Sequence, residues 1–182
     1  MRWIRDEEFI RGNIPMTKFD IRVLAVAFLS IEEGDVFLDI GAGTGSISIE
    51  GALQGAKVCA VEREKEGIEL IKKNKNKFNV DIKIVEGQAP DCIPSLKFNK
   101  CFIGGSGGRL SYIFEYLEEN LESEGVVCAN FITLKNLNEF IELLEKYNYR
   151  NIETKLIQSA QTNKIGLIKG NNPIFLVKGV KR

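Results

Sequence analysis

The chain has 182 residues, with 25 Lys and Arg, 25 Asp and Glu, and no histidine. The missing histidine excludes a Ser-His-Asp or Cys-His nucleophile system and a histidine zinc site. The balanced charge argues against a nucleic-acid partner that is held by a basic surface. The four cysteines are Cys59, Cys92, Cys101 and Cys128. No two of them are three residues apart, so a Cys-x-x-Cys motif for redox chemistry or metal binding is absent.

The length predicts a single domain over residues 1–182, with residues 1–33 as an N-terminal cap and first helix and residues 34–182 as the core. No apolar run approaches the about 18 residues of a membrane-spanning helix, so no membrane partner is expected. Residues 1–8 carry acidic side chains where a secretory signal would be apolar. These features predict a cytoplasmic protein.

Short apolar runs alternate with longer amphipathic runs along the chain. The pattern predicts strands at residues 35–40, 57–61, 82–86, 100–103 and 126–131, and helices at residues 46–54, 65–78, 110–121 and 134–147. Residues 152–159 and 173–177 then read as two strands without a helix between them, which indicates a hairpin. The prediction is an α/β, Rossmann-like fold with a mostly parallel seven-stranded sheet and a C-terminal antiparallel hairpin. This layout is typical of class I methyltransferases, although a fold alone does not fix a function.

A glycine-rich loop follows the first predicted strand and begins a helix. Residues 39–45 read Asp-Ile-Gly-Ala-Gly-Thr-Gly, which permits close backbone approach to a ligand. Glu62, at the end of the second strand, can accept the hydroxyls of a ribose. A dinucleotide site needs glycine where Ser46 stands, so the spacing favours S-adenosylmethionine (SAM); a dinucleotide or a simple tight turn are the alternatives. The predicted cofactor-binding residues here are Gly41, Ala42, Gly43, Thr44, Gly45 and Glu62.

The loop after the third strand is predicted to lie beside the adenine ring. Residues 86–90 read Glu-Gly-Gln-Ala-Pro. Gln88 stands where many methyltransferases have an acid, and its amide oxygen can accept a hydrogen bond from the adenine amino group. Ala89 is expected to offer backbone groups or to pack on the ring. The alternative is that Gln88 is an ordinary polar loop residue.

Two further stretches narrow the prediction. Residues 14–22 read Ile-Pro-Met-Thr-Lys-Phe-Asp-Ile-Arg, and residues 103–108 read Ile-Gly-Gly-Ser-Gly-Gly. Together with the cofactor loop they resemble the cobalt-precorrin-6B methyltransferases of anaerobic cobalamin biosynthesis, which methylate carbon 15 with decarboxylation. The resemblance extends from residues 6–9 to residues 172–174. The chain departs from the usual family sequence at three positions: it has Gln88 where an acid is usual, Glu62 where Asp is frequent and Asp20 where Glu is frequent. None of these departures removes the expected activity.

The resemblance implies roles for several residues. Thr17 is expected to close over bound SAM, although Thr17 with Asp20 three residues on also fits a helix N-cap. Lys18 and Arg22, four apart on one helix face, are expected to bind carboxylate arms of the macrocycle, the alternative being a solvated basic face. The glycine stretch leaves room for a flat macrocycle, unless it is only a flexible connector. The predicted substrate-binding residues are Lys18, Arg22, Gly104, Gly105, Ser106, Gly107, Gly108 and Arg109.

A methyl transfer from a sulfonium needs alignment more than acid–base help, which suits a chain without histidine. The resemblance implies a ring carbon as nucleophile, loss of carbon dioxide from the acetate arm at carbon 12, and the conjugated macrocycle as electron sink. No catalytic acid or base is identified. The resemblance also implies a homotetramer, with Trp3 and Phe9 as candidate exposed interface residues. The alternatives are a SAM-dependent methyltransferase that acts on RNA, protein or another small molecule, and a non-catalytic SAM-binding module.

Overall fold

A computed structural model describes residues 3–182, so the first two residues of the predicted domain lie outside the described residues. The helices are α1 (Phe19–Leu29), α2 (Ser46–Leu53), α3 (Lys65–Lys77), α4 (Leu110–Asn120) and α5 (Leu134–Lys146), preceded by a short 3-10 helix (Asp6–Glu8). The strands are β1 (Val36–Ile40), β2 (Lys57–Glu62), β3 (Ile82–Glu86), β4 (Phe98–Ile103), β5 (Leu121–Phe131), β6 (Arg150–Ile157), β7 (Ala160–Thr162), β8 (Ile168–Gly170) and β9 (Ile174–Val180).

Seven strands form one sheet in the order β3-β2-β1-β4-β5-β9-β6. The strands from β1 to β5 pair in parallel, and β9 runs antiparallel to both β5 and β6. The predicted fold class is therefore confirmed, including the C-terminal antiparallel hairpin. The strand order changes direction between β1 and β4, and the carboxyl ends of parallel strands at such a point open a crevice for ligands.

Helices cover both faces of the sheet. On one face α4 and α5 pack through a cluster that includes Phe114 and Phe140, whose ring centroids lie 5.3 Å apart. On the other face α1, α2 and α3 bury a second cluster around Phe37 and Phe102. Central strands covered on both sides need apolar residues on both faces, which explains why consecutive residues at 37–38 of β1 and 101–103 of β4 are apolar and buried.

Two strand features differ from the prediction. Strand β5 begins at Leu121, well before residue 126, because Leu121 pairs with Phe98 across an irregular register. Within this added stretch Glu124 has a positive φ of 65°. The loop predicted between the last two strands contains a small hairpin, β7–β8, which turns near Gly166. Both of its strands are fully exposed, so no alternation of burial marks them in the sequence.

Candidate cofactor and substrate site

The glycine loop, residues 41–45, joins β1 to α2 and lies against a second glycine loop, residues 104–108. A Cβ atom on Gly41 would come within 2.7 Å of both the backbone nitrogen and the carbonyl oxygen of Gly105. Gly41 also has a φ of 70°, a conformation that favours glycine. The two loops therefore touch through bare backbone, and the first of them is anchored to β2 by hydrogen bonds from the Gly41 and Ala42 N–H groups to the Val61 carbonyl.

Replacing Gly41 with alanine should force the two loops apart. We expect a loss of about 1–3 kcal/mol in the free energy of unfolding from backbone strain and contact, together with weaker binding of S-adenosylhomocysteine (SAH). Chemical denaturation and calorimetry measure the two effects. Gly105→Ala is the matched control for the stability measurement, because a Cβ there meets no atom within 4 Å. Equal stability of the two variants would contradict the contact.

Glu62 lies at the end of β2 and is only 7% exposed. Its Oε2 accepts a hydrogen bond from the Gly43 N–H at 2.7 Å, and its Oε1 accepts from the N–H groups of Arg63 and Glu64, both at 2.9 Å. A carboxylate offers about four lone-pair positions, so these three bonds leave a position on Oε2 for a ligand hydroxyl. The same bonds fix the carboxylate against the glycine loop.

Gly67 allows α3 to approach this carboxylate. A Cβ on Gly67 would lie 2.8 Å from the Glu62 Cγ and 3.0 Å from the Gly43 carbonyl oxygen. Gly45 is similarly crowded, since a Cβ there would lie 3.1 Å from Ile71 of α3. Gly45 is the N-cap of α2, with a φ of 76°. These glycines let α2 and α3 close around the acid.

A cavity of about 360 Å³, here called the cofactor cavity, opens above the carboxyl ends of β1, β2 and β4. Its volume falls within the range of small-molecule sites. It brings together most of the predicted cofactor residues and part of the second glycine loop: Gly41, Gly43, Glu62, Gln88, Ala89, Gly104, Gly105, Ser106 and Gly107.

A second cavity of about 230 Å³ adjoins the cofactor cavity and shares Pro15, Gly41, Gly43 and Gly104 with it. Among the predicted residues it is lined by Thr17, Lys18, Ala42 and Thr44. Two of the residues that line it, Thr44 and Asn130, each have a side-chain oxygen that is buried without a hydrogen-bond partner among the described residues. Buried polar atoms are normally paired, so these two oxygens are an unusual feature of the wall of the second cavity.

Asp39 is a site residue that the sequence analysis did not assign individually. It is 1% exposed, lines the second cavity and accepts a hydrogen bond from the Ser48 hydroxyl at 2.5 Å. Burial raises the pKa of this carboxyl to about 7, against the opposing bond from Ser48 and with a further contribution from the charge of Glu62. Asp39 is therefore partly protonated near neutral pH.

The raised pKa of Asp39 predicts a specific dependence of stability on pH. The folded state binds this proton more tightly than the unfolded state, whose pKa is 3.8, so stability should fall as the pH rises from about 4 to about 7. Asp39→Asn keeps an acceptor for Ser48 and removes the titration. As the pH rises over this range, the unfolding free energy of Asp39→Asn should increase relative to that of the wild type by up to roughly 4 kcal/mol. A constant difference from pH 4 to pH 8 would contradict the assignment.

The prediction that Arg22 binds substrate is wrong, because Arg22 is completely buried. Its guanidinium pairs with Glu50 at 3.2 Å and Asp6 at 3.0 Å and donates to the carbonyl oxygens of Ile4 and Thr17. Arg22 instead connects α1, α2 and the N-terminal segment. The alternative, a solvated basic face formed by Lys18 and Arg22, is excluded by the same burial, and of these two residues only Lys18 lines a cavity.

Three other predicted roles change. Thr17 is not a helix cap, because α1 begins at Phe19 with Lys18 as its N-cap and without a side-chain cap bond. Arg109 lines neither cavity and pairs through both terminal nitrogens with Asp91, at 2.6 and 3.0 Å. Phe9 is 5% exposed and packs on Phe78, so it is not an exposed interface residue.

Arg63 also lines the cofactor cavity and was not predicted to do so. One of its terminal nitrogens lies 3.1 Å from the position that a Cβ on Gly107 would occupy. In the sequence it reads as an ordinary exposed basic residue, and the only signal is that it directly follows the predicted ribose-binding Glu62. Gly108 lines neither cavity.

Among residues 3–182, no group of three or more metal-binding side chains comes together. In the same range, no helix is both long and apolar enough to span a membrane.

The family follows from comparison with known proteins. A model of the precorrin methyltransferase domain matches residues 8–180. The chain belongs to this family. A probable cobalt-precorrin-6B C(15)-methyltransferase (decarboxylating) from Sulfurisphaera tokodaii is 37% identical, over 98% of this chain and 97% of the relative. As a methyltransferase of this family and fold, the protein uses SAM.

Solved structures agree with this family. Precorrin-6y C5,15-methyltransferase from Geobacter metallireducens superposes with a TM-score of 0.90 at 32% identity, covering 99% of this chain and 97% of the other. Precorrin 8W decarboxylase from Methanobacterium thermoautotrophicum superposes with a TM-score of 0.88 at 27% identity, covering 97% and 98%. The predicted family and cofactor are thus confirmed.

Proposed function

We propose that this protein transfers the methyl group of SAM to carbon 15 of cobalt-precorrin-6B and promotes the loss of carbon dioxide from the acetate arm at carbon 12. The main support for the proposal is the pair of adjoining cavities, which are separated by the backbone of the two glycine loops. One contains a fixed carboxylate suited to a ribose, and the other is lined by Lys18 and by the two residues with unpartnered oxygens. The name of the Sulfurisphaera tokodaii relative supplies the substrate and both reactions.

Each cavity has a defined task in this proposal. Glu62 accepts a ribose hydroxyl, and Gln88 and Ala89 lie where the adenine ring would bind. Bound SAM supplies a sulfonium-activated methyl group. The second glycine loop lets a flat macrocycle approach the cofactor cavity, because Gly105 has open space where a side chain would project. Lys18 offers an ammonium group for one carboxylate arm.

The chain's own contribution to the chemistry is mainly positioning. Holding the reacting carbon and the methyl group in line removes much of the entropic barrier. The methyl group forms its bond to carbon 15 as the sulfur–methyl bond breaks, SAH leaves with that electron pair, and carbon 15 releases a proton. When the bond to carbon dioxide breaks, its electron pair is delocalised in the conjugated macrocycle and then forms the new C–H bond as the former acetate methylene takes up a proton from the solvent. This division of labour agrees with a chain that has no histidine.

The proposal is tested by incubating the purified protein anaerobically with SAM and cobalt-precorrin-6B and recording the product mass. The expected product has gained one methylene unit and lost one carbon dioxide. A protein that binds SAH but leaves cobalt-precorrin-6B unchanged contradicts the proposed substrate. A methylated product that keeps all its carboxylates contradicts the proposed decarboxylation.

We also propose a homotetramer in the cytoplasm, as the resemblance implies. The β7–β8 hairpin supports the assembly, because Ile165, Leu167 and Ile168 on it are 86%, 63% and 70% exposed, an unusual concentration of exposed apolar residues. All four cysteines are unpaired, which supports the cytoplasmic location because the cytoplasm keeps thiols reduced. Sedimentation of the wild type should give a tetramer, and changing these three residues to serine should dissociate it. A wild-type monomer would contradict the assembly.

A further inference from the structure

The N-terminal strap, defined as residues 3–17, is held on the protein by side chains. Within the described part of the chain, its backbone-to-backbone hydrogen bonds are internal, from Glu8 to Arg5 and from Phe9 to Asp6. No strand or helix ladder joins it to the sheet. The strap is held instead by the burial of Ile4 and Phe9 in the second core cluster and by hydrogen bonds from side chains of the helices, so its position depends on a small number of residues.

Arg22 clamps the two ends of the strap together. Its guanidinium donates to the carbonyl oxygen of Ile4 at one end and, at 2.9 Å, to that of Thr17 at the other. Glu50 completes the clamp by accepting from the Ile4 N–H at 3.1 Å. The strap is therefore a loop closed at its base on α1 and α2.

Asn74 holds the middle of the strap. It lies on α3 and is completely buried. Its Oδ1 accepts from the Ile10 N–H at 2.8 Å, and its Nδ2 donates to the Ile10 carbonyl at 2.9 Å and to the Thr44 carbonyl at 3.1 Å. One amide therefore ties the strap directly to the glycine loop.

Glu66 holds the strap next to the cavities. Its Oε1 accepts from the Asn13 N–H at 2.6 Å. The next residues, Ile14 and Pro15, line the cofactor cavity, and Pro15 is shared with the second cavity. The Pro15 carbonyl oxygen lies 3.5 Å from the position of a Cβ on Gly43, so the strap sits directly over the glycine loop.

We infer that Asn74 and Glu66 are positioning residues that hold the strap over the glycine loop and thereby set the rate at which SAM and SAH exchange. Neither residue lines the cofactor cavity, so each acts through the strap. The inference rests on the proposed placement of the cofactor and adds to it a function for α3 and for the segment before α1.

The test compares SAH association and dissociation rates by stopped-flow fluorescence. Trp3, the single tryptophan of the chain, lies at the start of the strap and reports on its motion. Asn74→Asp keeps the acceptor for Ile10 and removes both donated bonds, and should raise the dissociation rate about tenfold. Glu66→Ala removes one contact from an exposed side chain and should raise both rates with an unchanged melting temperature of the SAH-free protein.

Two control variants come from the same helix. Glu69→Ala removes an exposed glutamate that pairs with Lys72 and not with the strap, and Asn76→Asp changes an exposed asparagine. Both should exchange SAH at the wild-type rates. If Glu66→Ala also exchanges SAH like Glu69→Ala, the positioning role is overturned even if Asn74→Asp fails to fold. If the wild type binds no SAH, the cofactor assignment itself fails, which is a different result.

Discussion

Replacing Glu62 with alanine should lower the affinity for SAH on the order of 100-fold or more. The change removes the acceptor for a ribose hydroxyl and also leaves the N–H groups of Gly43, Arg63 and Glu64 without their partner. Hydrogen bonds to a charged group contribute about 1.5–3 kcal/mol each, so the loss exceeds that of a single contact. The stabilisation of the wild type by SAH in thermal melting measures the effect, since a ligand that binds only the folded state raises the melting temperature.

Glu86→Ala is the control for this change. Glu86 ends the neighbouring strand β3 and pairs in register with Glu62, but it is exposed and lines neither cavity. SAH should raise the melting temperature of Glu86→Ala as much as that of the wild type, and it should raise the melting temperature of Glu62→Ala much less. A full SAH-induced shift in Glu62→Ala would show that this carboxylate does not bind the cofactor.

Replacing Arg22 with methionine should destabilise the fold by about 3–5 kcal/mol, because breaking a buried ion pair leaves the other charge buried without compensation. The uncompensated charge is Glu50, which is 1% exposed. Burial already raises the pKa of Glu50, and the hydrogen bonds from Ile4 and Arg22 act against that rise. Denaturant unfolding at neutral pH measures the loss.

The paired variant Arg22→Met with Glu50→Met separates charge from packing. With neither charge present, much of the lost stability should return, since apolar replacements of a buried pair are often well tolerated. Glu69→Ala, at an exposed pair with Lys72, should leave stability unchanged. The variant Glu50→Met completes the comparison. If Glu50→Met lowers the unfolding free energy by the same amount in the wild type and in Arg22→Met, the two residues are not coupled.

The parts of the fold set by local sequence were predictable. Strand β3 agrees with its predicted bounds, and the glycine loop could be placed because a strand, a tight turn and a helix follow one another without a gap. The position of Glu62 beside this loop was also predictable, because β1 and β2 are adjacent parallel strands whose carboxyl ends meet at one edge of the sheet. These features depend on residues that are close in the chain or on neighbouring strands.

Features that depend on distant pairing were not predictable. Arg22 reads as part of a basic helix face, and only the fold brings Glu50 and Asp6 to it and removes it from solvent. Asn74 stands in a lysine-rich run and is nevertheless completely buried, because the strap crosses α3 there. The local sequence gives no indication of which polar residue on a helix meets another segment.

A calorimetric titration of the wild-type protein with SAH, with NADH in a parallel titration, decides whether the cofactor cavity binds SAM. The cofactor cavity, with its fixed Glu62 carboxylate and bare glycine backbone, predicts micromolar binding of SAH and none of NADH. Tighter binding of NADH, or no binding of SAH, would contradict the assignment of this cavity to SAM and with it the proposed methyl transfer.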